Sequence, residues 1–336
     1  MNGPNQIAGQ ATVPAAARID AIVIGRNEGT RLEACLASLR GKTRRIIYVD
    51  SGSTDDSPAM ARTAGAIVVA LDLSQPFTAA RARNAGLAAL PDGCADFVQM
   101  IDGDCTVAAG WLDQAASFLD SRPQAALVCG RRRERFPQAS IYNLLCDWEW
   151  NTPVGPARAC GGDALIRLDA IKGIGGYRDD VIAAEDDEMC QRLRAAGWQL
   201  WRIDAEMTGH DAAIRRFGQW WRRAVRAGHG FAEVGALHPG YFAAERRRVL
   251  LWGAVLPVVV LAGLLVWPPL AVGVLALYAL SLARMALRLG KHGMPFLQAL
   301  RAAGLITLSK FPNLQGVLIR GYRRLHGRAA TIIEYK

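Results

Sequence analysis

Short apolar runs alternate with amphipathic stretches over the first two hundred or so positions, and an unbroken apolar block follows them. Residues 19–25 form the first run, and a helical pattern opens near Gly29 and reaches Arg40. Residues 45–50 form a second run of strand type. The Ser/Thr/Asp cluster behind it suits the cap of a helix starting at about Asp55. Residues 66–70, 96–101 and 125–129 predict further strands, with helices over 78–90 and 111–119. Such alternation predicts an α/β fold: a mainly parallel, Rossmann-like sheet with helices on both faces and ligands at the carboxyl ends of its strands.

The apolar block covers residues 249–283, which are 35 positions without one charged side chain. As a helix, residues 249–267 span about 28 Å, the thickness of a bilayer core. Trp267-Pro268-Pro269 breaks the block, and residues 270–287 continue as a second apolar helix. Arg246, Arg247 and Arg248 precede the pair, while Arg284, Arg288 and Lys291 follow it. The positive-inside rule therefore places both ends in the cytoplasm. A buried hairpin of a soluble protein is the alternative, but residues 251–266 lack the polar face such a helix shows. Beyond Gly293, Phe296, Leu297, Leu300, Leu305, Ile306 and Leu308 are interrupted by Arg301 and Lys310, and Pro312 stops the pattern. With Arg320, Arg323, Arg324 and Arg328 after it, this segment predicts one or two amphipathic helices lying on the cytoplasmic leaflet. Arg301 in mid-segment argues against a third crossing.

Composition sharpens this division. The chain has 336 residues, 51% hydrophobic and 21% charged, which excludes a disordered chain and allows two domains or one domain with an appendage. Its net charge of +10 conceals an asymmetry. Residues 1–210 carry 22 basic and 26 acidic side chains, and residues 211–336 carry 18 and 4. Because the basic part is also the apolar part, a membrane is the expected partner and nucleic acid is not. Seven cysteines, at 35, 94, 105, 129, 146, 160 and 190, include no CxxC pair and fit free thiols in a reducing compartment. The first eighteen residues are polar and lack an apolar core, so a signal peptide is not expected.

The strand ends carry the chemistry. No GxGxxG follows the first strand and no GxxxxGK[ST] occurs, so a dinucleotide fingerprint and a P-loop are both unsupported. Three strand ends are instead acidic or amide-rich: Gly25-Arg26-Asn27-Glu28, Asp50-Ser51-Gly52-Ser53-Thr54-Asp55, and Asp102-Gly103-Asp104. In the last, two carboxylates flank a glycine directly after the apolar stretch 97–101, a placement suited to one hard divalent cation with open positions for phosphate oxygens. Glu185-Asp186-Asp187-Glu188 packs four carboxylates together at a predicted helix start. Where partly buried, mutual repulsion there raises at least one pKa, and an acid at a helix start is well placed as a general base. A helix N-terminus stabilised by acidic residues is the alternative, and both readings can hold together.

These motifs, in this order over residues 19–235, resemble the family 2 glycosyltransferases, the inverting class with the A-type nucleotide-sugar fold. Asn27-Glu28 closes the first strand. Val49-Asp50-Ser51-Gly52-Ser53-Thr54-Asp55 is similar to the family's Val-Asp-Asp-Gly-Ser-Thr-Asp, with Ser51 in place of the second Asp. Arg83-Asn84-Ala85-Gly86 resembles Arg-Asn-x-Gly, and Asp102-Gly103-Asp104 resembles Asp-x-Asp. Gly175-Gly176-Tyr177 followed by Glu185-Asp186 resembles the Gly-Gly-aromatic and Glu-Asp block. The resemblance implies that Asn27, Glu28, Asp50, Arg83 and Asp102 bind the nucleotide sugar, and that Asp104, with Asp102 and His210, holds Mg2+ or Mn2+. It also implies that Asp186, beside Glu185, is the base that deprotonates the acceptor. His210 has a merely structural role as its alternative. Gln219-Trp220-Trp221-Arg222-Arg223 resembles the Gln-x-x-Arg-Trp of processive members, with Arg223 replacing the final Trp. Arg222 is thereby a candidate diphosphate ligand, an interfacial helix being the alternative, and the missing Trp argues against long-polymer synthesis. Arg131-Arg132-Arg133 reads as a solvated or lipid-facing basic run.

Four segments are expected: a flexible terminus at 1–18, a catalytic domain at 19–235, a membrane hairpin at 236–290, and an interfacial basic tail at 291–336. The expected activity is transfer of a sugar from a nucleotide-diphosphate sugar to a lipid-linked or glycolipid acceptor in surface-polysaccharide or glycolipid synthesis. The expected location is the inner membrane with the head in the cytoplasm, alongside other polysaccharide-assembly proteins. A catalytically silent nucleotide-sugar-binding subunit anchoring a partner synthase is the alternative.

Overall fold

The computed structural model describes residues 14–91, 95–327 and 331–334, so most of the predicted flexible terminus, together with Cys94 and Arg328, lies outside the described residues. The elements run β1 (Ile19–Gly25), α1 (Thr30–Leu39), β2 (Arg45–Asp50), α2 (Ser57–Thr63), β3 (Ile67–Ala70), α3 (Ala79–Ala88), β4 (Phe97–Asp102), β5 (Cys105–Val107), α4 (Trp111–Asp120) and β6 (Ala125–Glu134). Next come α5 (Ile141–Glu149), β7 (Gly155–Pro156), β8 (Ala164–Arg167), α6 (Leu168–Gly173), α7 (Glu185–Ala195), β9 (Gln199–His210) and α8 (Phe217–Leu237). The chain closes with α9 (Ala243–Leu250), α10 (Leu256–Val266), α11 (Pro268–Lys291), α12 (Phe296–Leu308) and α13 (Lys310–Leu325).

One sheet carries the head, in the order β3-β2-β1-β4-β8-β6-β9-β5, with β7 also on β9. The first four of these strands pair in parallel, as their helical crossovers require. Parallel pairing recurs only at β6 and β9 among the described residues, whereas β8 runs antiparallel to both β4 and β6. The cause lies in the connection. A Pro- and Gly-containing stretch over 152–163, rather than a helix, leads into β8, so the chain has no crossover and enters the sheet from the opposite end. The fold is therefore a mixed α/β sheet with helices around it. Ile22, Val23, Ile47, Tyr48, Phe97, Val98, Met100 and Leu127 form its dry centre, each fully or almost fully buried.

The apolar block forms two rods. The first, Ala243–Val266, has 24 residues and contains one π-helical turn (Leu251–Val255) between α9 and α10; the second is α11, also of 24 residues. Each is about 36 Å long, and only 17% of each apolar window is buried. Leu261, Leu264, Leu265, Val266, Val272, Leu275 and Leu280 all face outward. Both helices are long and apolar enough to cross a membrane, and their exposed faces suit lipid rather than water. Trp267 alone is extended between them, so the hairpin turns where the Trp-Pro-Pro break predicts.

The basic tail is bound to the head. After α12 the chain enters α13, with Pro312 in its first turn, and α13 crosses α8 at backbone contact. A Cβ added to Gly228 would sit 2.0 Å from the Asn313 carbonyl oxygen, and one on Gly316 would sit 2.0 Å from that of Val225. Trp221 Nε1 donates to Gln315 Oε1 at 2.8 Å, and Arg320 pairs with Glu233 at 2.8 Å. The head and the tail thus share a packed interface, where the sequence pattern suggests two separate segments.

Candidate functional site

The carboxyl ends of β1, β2 and β4 meet the N-terminus of α7 at a cavity of about 1100 Å³. Asn27 bridges the first two strand-end loops: it adopts a positive φ of 57°, its side-chain oxygen accepts from Thr54 N at 2.7 Å, and its own N–H donates to Ser53 Oγ. Glu28 lines the cavity and pairs with Arg31 at 2.9 Å. Asp50 is placed differently from its expected role. Its carboxylate is buried and accepts from Gly52 N, Ser53 N and the Tyr48 hydroxyl, so it holds the turn while Ser51 lines the cavity.

Arg83 is the hub of the site. It is buried, donating to Glu185 Oε1 at 2.9 Å and to Asp102 Oδ1 at 3.0 Å, with Asp186 Oδ1 3.4 Å away. Burial opposes its charge, yet the carboxylates of Asp186 and Asp102 hold it firmly protonated. The other oxygen of Asp102 accepts from Arg132 at 3.2 Å, and Arg132 Nε lies 3.3 Å from Asp163. Burial opposes the Asp102 charge too, but the guanidiniums of Arg83 and Arg132 hold its pKa below the ordinary value. The network leaves room for no side chain at Gly162, where a Cβ would lie 2.3 Å from an Arg83 nitrogen.

Arg132 corrects the reading of Arg131-Arg132-Arg133 as a solvated or lipid-facing run. Only Arg133 is exposed, pairing with Glu206; Arg131 turns to Asp147 and Arg132 lines the cavity. Strand alternation along β6 turns Arg132 to the face opposite Arg133, and the register shifts on either side of Arg131 set that residue apart. Asp163 and Trp150 also escape the sequence reading. Asp163 accepts from Asp102 N and Thr208 Oγ1, and Trp150 stacks under Arg132 at 5.0 Å and edge-on to His210 at 4.8 Å. A Gly-Gly-Asp triplet before the apolar run of β8 is the one sequence signal that points to Asp163.

His210 ends β9 and is brought to the Asp-x-Asp turn by the antiparallel pairing of Cys105 with His210. Its Nε2 lies 3.2 Å from Asp104 Oδ2, and ligand atoms of Asp104, Cys105 and His210 fall within 4.8 Å of one another. Burial, with Asp163 adding to it, pushes the Cys105 thiol well up, and sulfur is a soft donor that hard cations do not favour. A carboxylate and an imidazole remain, both lining the cavity, and that donor set suits a hard divalent cation such as Mn2+ or Mg2+. Asp102 belongs to a second candidate group with Cys105 and Asp163, while its two oxygens also accept from Arg83 and Arg132.

The four acids at the head of α7 divide among four surroundings. Glu185 accepts from Arg83; Asp187 accepts from the Tyr241 hydroxyl at 2.5 Å; Glu188 is gripped by Arg192 and His238. Asp186 alone of the four opens toward the cavity without a hydrogen-bond donor of its own, its Arg83 contact being longer than a hydrogen bond to that atom. Burial pushes its pKa well above the ordinary carboxylate value against the pull of Arg83, with Glu185 and Asp102 adding to the rise. Ala184, just before it, sits at φ 59°, a left-handed conformation costly for alanine that fixes the entry into the helix.

Arg222 is exposed on α8 and does not line the cavity, which corrects its assignment as a diphosphate ligand. The 3.6-residue period presents Trp220, Arg223 and Arg226 instead. From these the cavity continues away from the strand ends to Leu145 and Trp148 of α5, Val249 of α9, Met285 of α11, and Leu305 and Ile306 of α12. At the opposite side residues 331–334 return to its mouth, where Glu334 pairs with Arg26 at 2.9 Å.

Residues 20–170 match the glycosyl transferase family 2 profile. The chain is 29% identical over 240 residues to a pre-mycofactocin glycosyltransferase of Mycobacterium tuberculosis, covering 66% of this chain and 48% of that one. It is 29% identical over 194 residues to the succinoglycan biosynthesis protein ExoA of Rhizobium meliloti, covering 53% and 58%. The chain thus spans about half the length of these curated relatives. Among solved structures it resembles the mannosyltransferase PcManGT of Pyrobaculum calidifontis, with a TM-score of 0.61, 20% identity, and coverage of 91% of this chain and 88% of that one, which establishes the A-type fold. The profile match over residues 20–170, the motif order and these likenesses support a family 2 glycosyltransferase domain in the head.

Proposed function

We propose that this protein is an inverting, metal-dependent hexosyltransferase that moves a sugar from a nucleotide-diphosphate sugar to a lipid-linked or glycolipid acceptor at the cytoplasmic face of the inner membrane. The observation that carries it is the single cavity that joins the strand-end carboxylates Asp102, Asp104 and Asp186 to side chains of the two apolar rods. The GDP-Man and Mn2+ held by PcManGT, and the polysaccharide role in the name of ExoA, fit this reading.

The donor lies over the ends of β1 and β4, with Asn27 and Glu28 toward the nucleoside. Asp104 and His210 hold the cation, which when bound offsets the charge developing on the departing diphosphate. Asp186 accepts the proton of the acceptor hydroxyl, whose oxygen attacks the anomeric carbon as the bond to the diphosphate breaks on the opposite side. Its raised pKa makes it a stronger base than an ordinary carboxylate. Arg83 and Glu185 position it: Arg83 ties α7 to β4, so base and metal turn keep their spacing. Holding the head at the leaflet converts a search in bulk into a local encounter with the acceptor.

The test is release of nucleoside diphosphate by the purified full chain in detergent, with Mn2+ or Mg2+, a panel of nucleotide sugars, and membrane lipid extract. Metal-dependent turnover of one donor, absent from Asp104→Ala and Asp186→Ala, is expected. Tight binding of a donor without turnover under any condition would favour the silent-subunit alternative.

A further inference from the structure

The helical half of the cavity holds cations that the sugar-transfer chemistry does not use. Arg223, Arg226, Arg248 and Lys310 all line it, against two carboxylates in that half, Glu149 and Glu245. Glu149 is taken by Arg223 at 2.9 Å, and Arg226 reaches back to Glu185 at 3.9 Å. Among the described residues, neither Arg248 nor Lys310 has a carboxylate within ion-pair distance, and the contact seen for the Lys310 ammonium is the Ser309 hydroxyl at 3.5 Å. Lys310 is half-buried where the first turn of α13 meets α9 and the π-turn after it. Burial, and the facing charge of Arg248, lower its pKa, the pull of Glu149 and Glu245 notwithstanding. Two like charges near each other, the exposed Arg248 and the half-buried Lys310, cost free energy that an anion between them recovers.

What surrounds them is apolar. Val249, Met285, Leu305, Ile306 and Leu145 line the same part of the cavity, and Met285 belongs to a helix whose outer face is exposed hydrocarbon. An anion held here is therefore flanked by the active carboxylates on one side and by membrane-type surface on the other. We infer that Arg248 and Lys310 form a phosphate-binding subsite for the acceptor, and that the acceptor is a lipid whose phosphate or diphosphate lies between its hydrocarbon chain and its reacting end. This rests on the acceptor side of the proposed function and narrows it: a neutral glycolipid leaves the two cations unmatched.

The experiment is equilibrium binding to the full chain in neutral detergent, read by quenching of intrinsic tryptophan fluorescence. The probes are a long-chain polyprenyl phosphate, the polyprenol of the same length, and inorganic phosphate. The phosphate ester is expected to bind at least about tenfold more tightly than the alcohol. In the Arg248→Gln/Lys310→Gln double variant that preference falls to about twofold, whereas Arg324→Gln, an exposed charge on α13 away from the cavity, keeps it. Affinity for nucleoside diphosphate with Mn2+, measured on the same samples, stays at the wild-type value and reports an intact head. Equal binding of polyprenol and its phosphate overturns the inference. So does displacement of the lipid by millimolar inorganic phosphate, because the apolar wall then contributes nothing. Parallel loss of nucleotide affinity in the double variant also overturns it, since the cations then serve the donor. Because binding is read without turnover, failure of the transferase assay leaves this result separately readable.

Discussion

At the strand-end side of the cavity each guanidinium has carboxylate partners: Arg26 with Glu334, Arg31 with Glu28, Arg83 with Asp102 and Glu185, Arg132 with Asp102 and Asp163. At the helical side Arg248 and Lys310 stand beside apolar side chains of α9, α11 and α12. The first half is a preorganised electrostatic lattice, built before any ligand arrives, in which catalytic groups are aimed by their neighbours. Among the described residues, the second half carries two cations without a carboxylate at ion-pair distance, which the proposed acceptor phosphate would match. On the proposed reading, in which a small polar donor needs strict geometry and a long apolar acceptor comes from a leaflet, that asymmetry serves both.

The comparison can be broken most severely at Asp104. Asp104→Asn is expected to lower turnover by about three orders of magnitude or more and to weaken Mn2+ binding, measured by titration of the cation, because one of two converging donors is lost. Asp186→Asn is expected to cost about 10²–10⁴-fold in kcat with the donor KM little changed. In the wild type, the raised pKa of Asp186 places the acid limb of the kcat/KM profile well above the ordinary carboxylate range near pH 4, since the base is lost as pH falls through its folded value. An acid limb at the ordinary value would remove Asp186 from the role of base.

The interface joining the two halves offers a structural test. Gly316→Leu drives a side chain into the backbone of α8 and is expected to destabilise the α8–α13 packing by about 1–3 kcal/mol or more, seen as earlier thermal unfolding and as proteolysis after α12. A smaller effect is expected at Asp187, whose carboxyl burial lifts to about 6. A folded pKa above the unfolded one means that the folded state binds the proton more tightly, so stability falls as pH rises from about 4 to about 6. Asp187→Asn should therefore raise thermal stability at pH 8 by about 1–3 kcal/mol and give no gain at pH 4. The smallest effect belongs to Arg222→Ala, expected to change kcat/KM less than twofold, because its exposed side chain faces away from both halves.

The parallel half of the sheet and the apolar hairpin are legible in sequence because each depends on local pattern: continuous apolar runs buried on both faces, and a stretch of residues without charge. β8 and β9 are not legible that way. β8 has four residues, and β9 alternates buried with exposed positions and carries Arg202, Asp204 and Glu206. Their place is set by neighbours, and with them comes His210, delivered beside Asp104 by a pairing 105 residues apart in the chain. In the acidic run at α7, proximity of four carboxylates is visible in the sequence, but which one faces the cavity without a donor depends on Arg83 and Tyr241, from other elements, and on Arg192 of the same helix.

Sequence alone determined the segments that single-chain physics controls: where the strands of the parallel half and their helices fall, where a lipid-compatible hairpin turns, and that strand ends carry carboxylates beside an Asp-x-Asp turn. Tertiary structure alone decided which of those groups share one space. Arg132 faces the site while Arg133 faces solvent, Arg223 and Arg226 take the place expected of Arg222, and α13 closes on α8 so that Lys310 meets Arg248. The physical reason is that charge pairing, desolvation and backbone contact act across distances in space, and their partners lie tens to hundreds of residues apart along the chain.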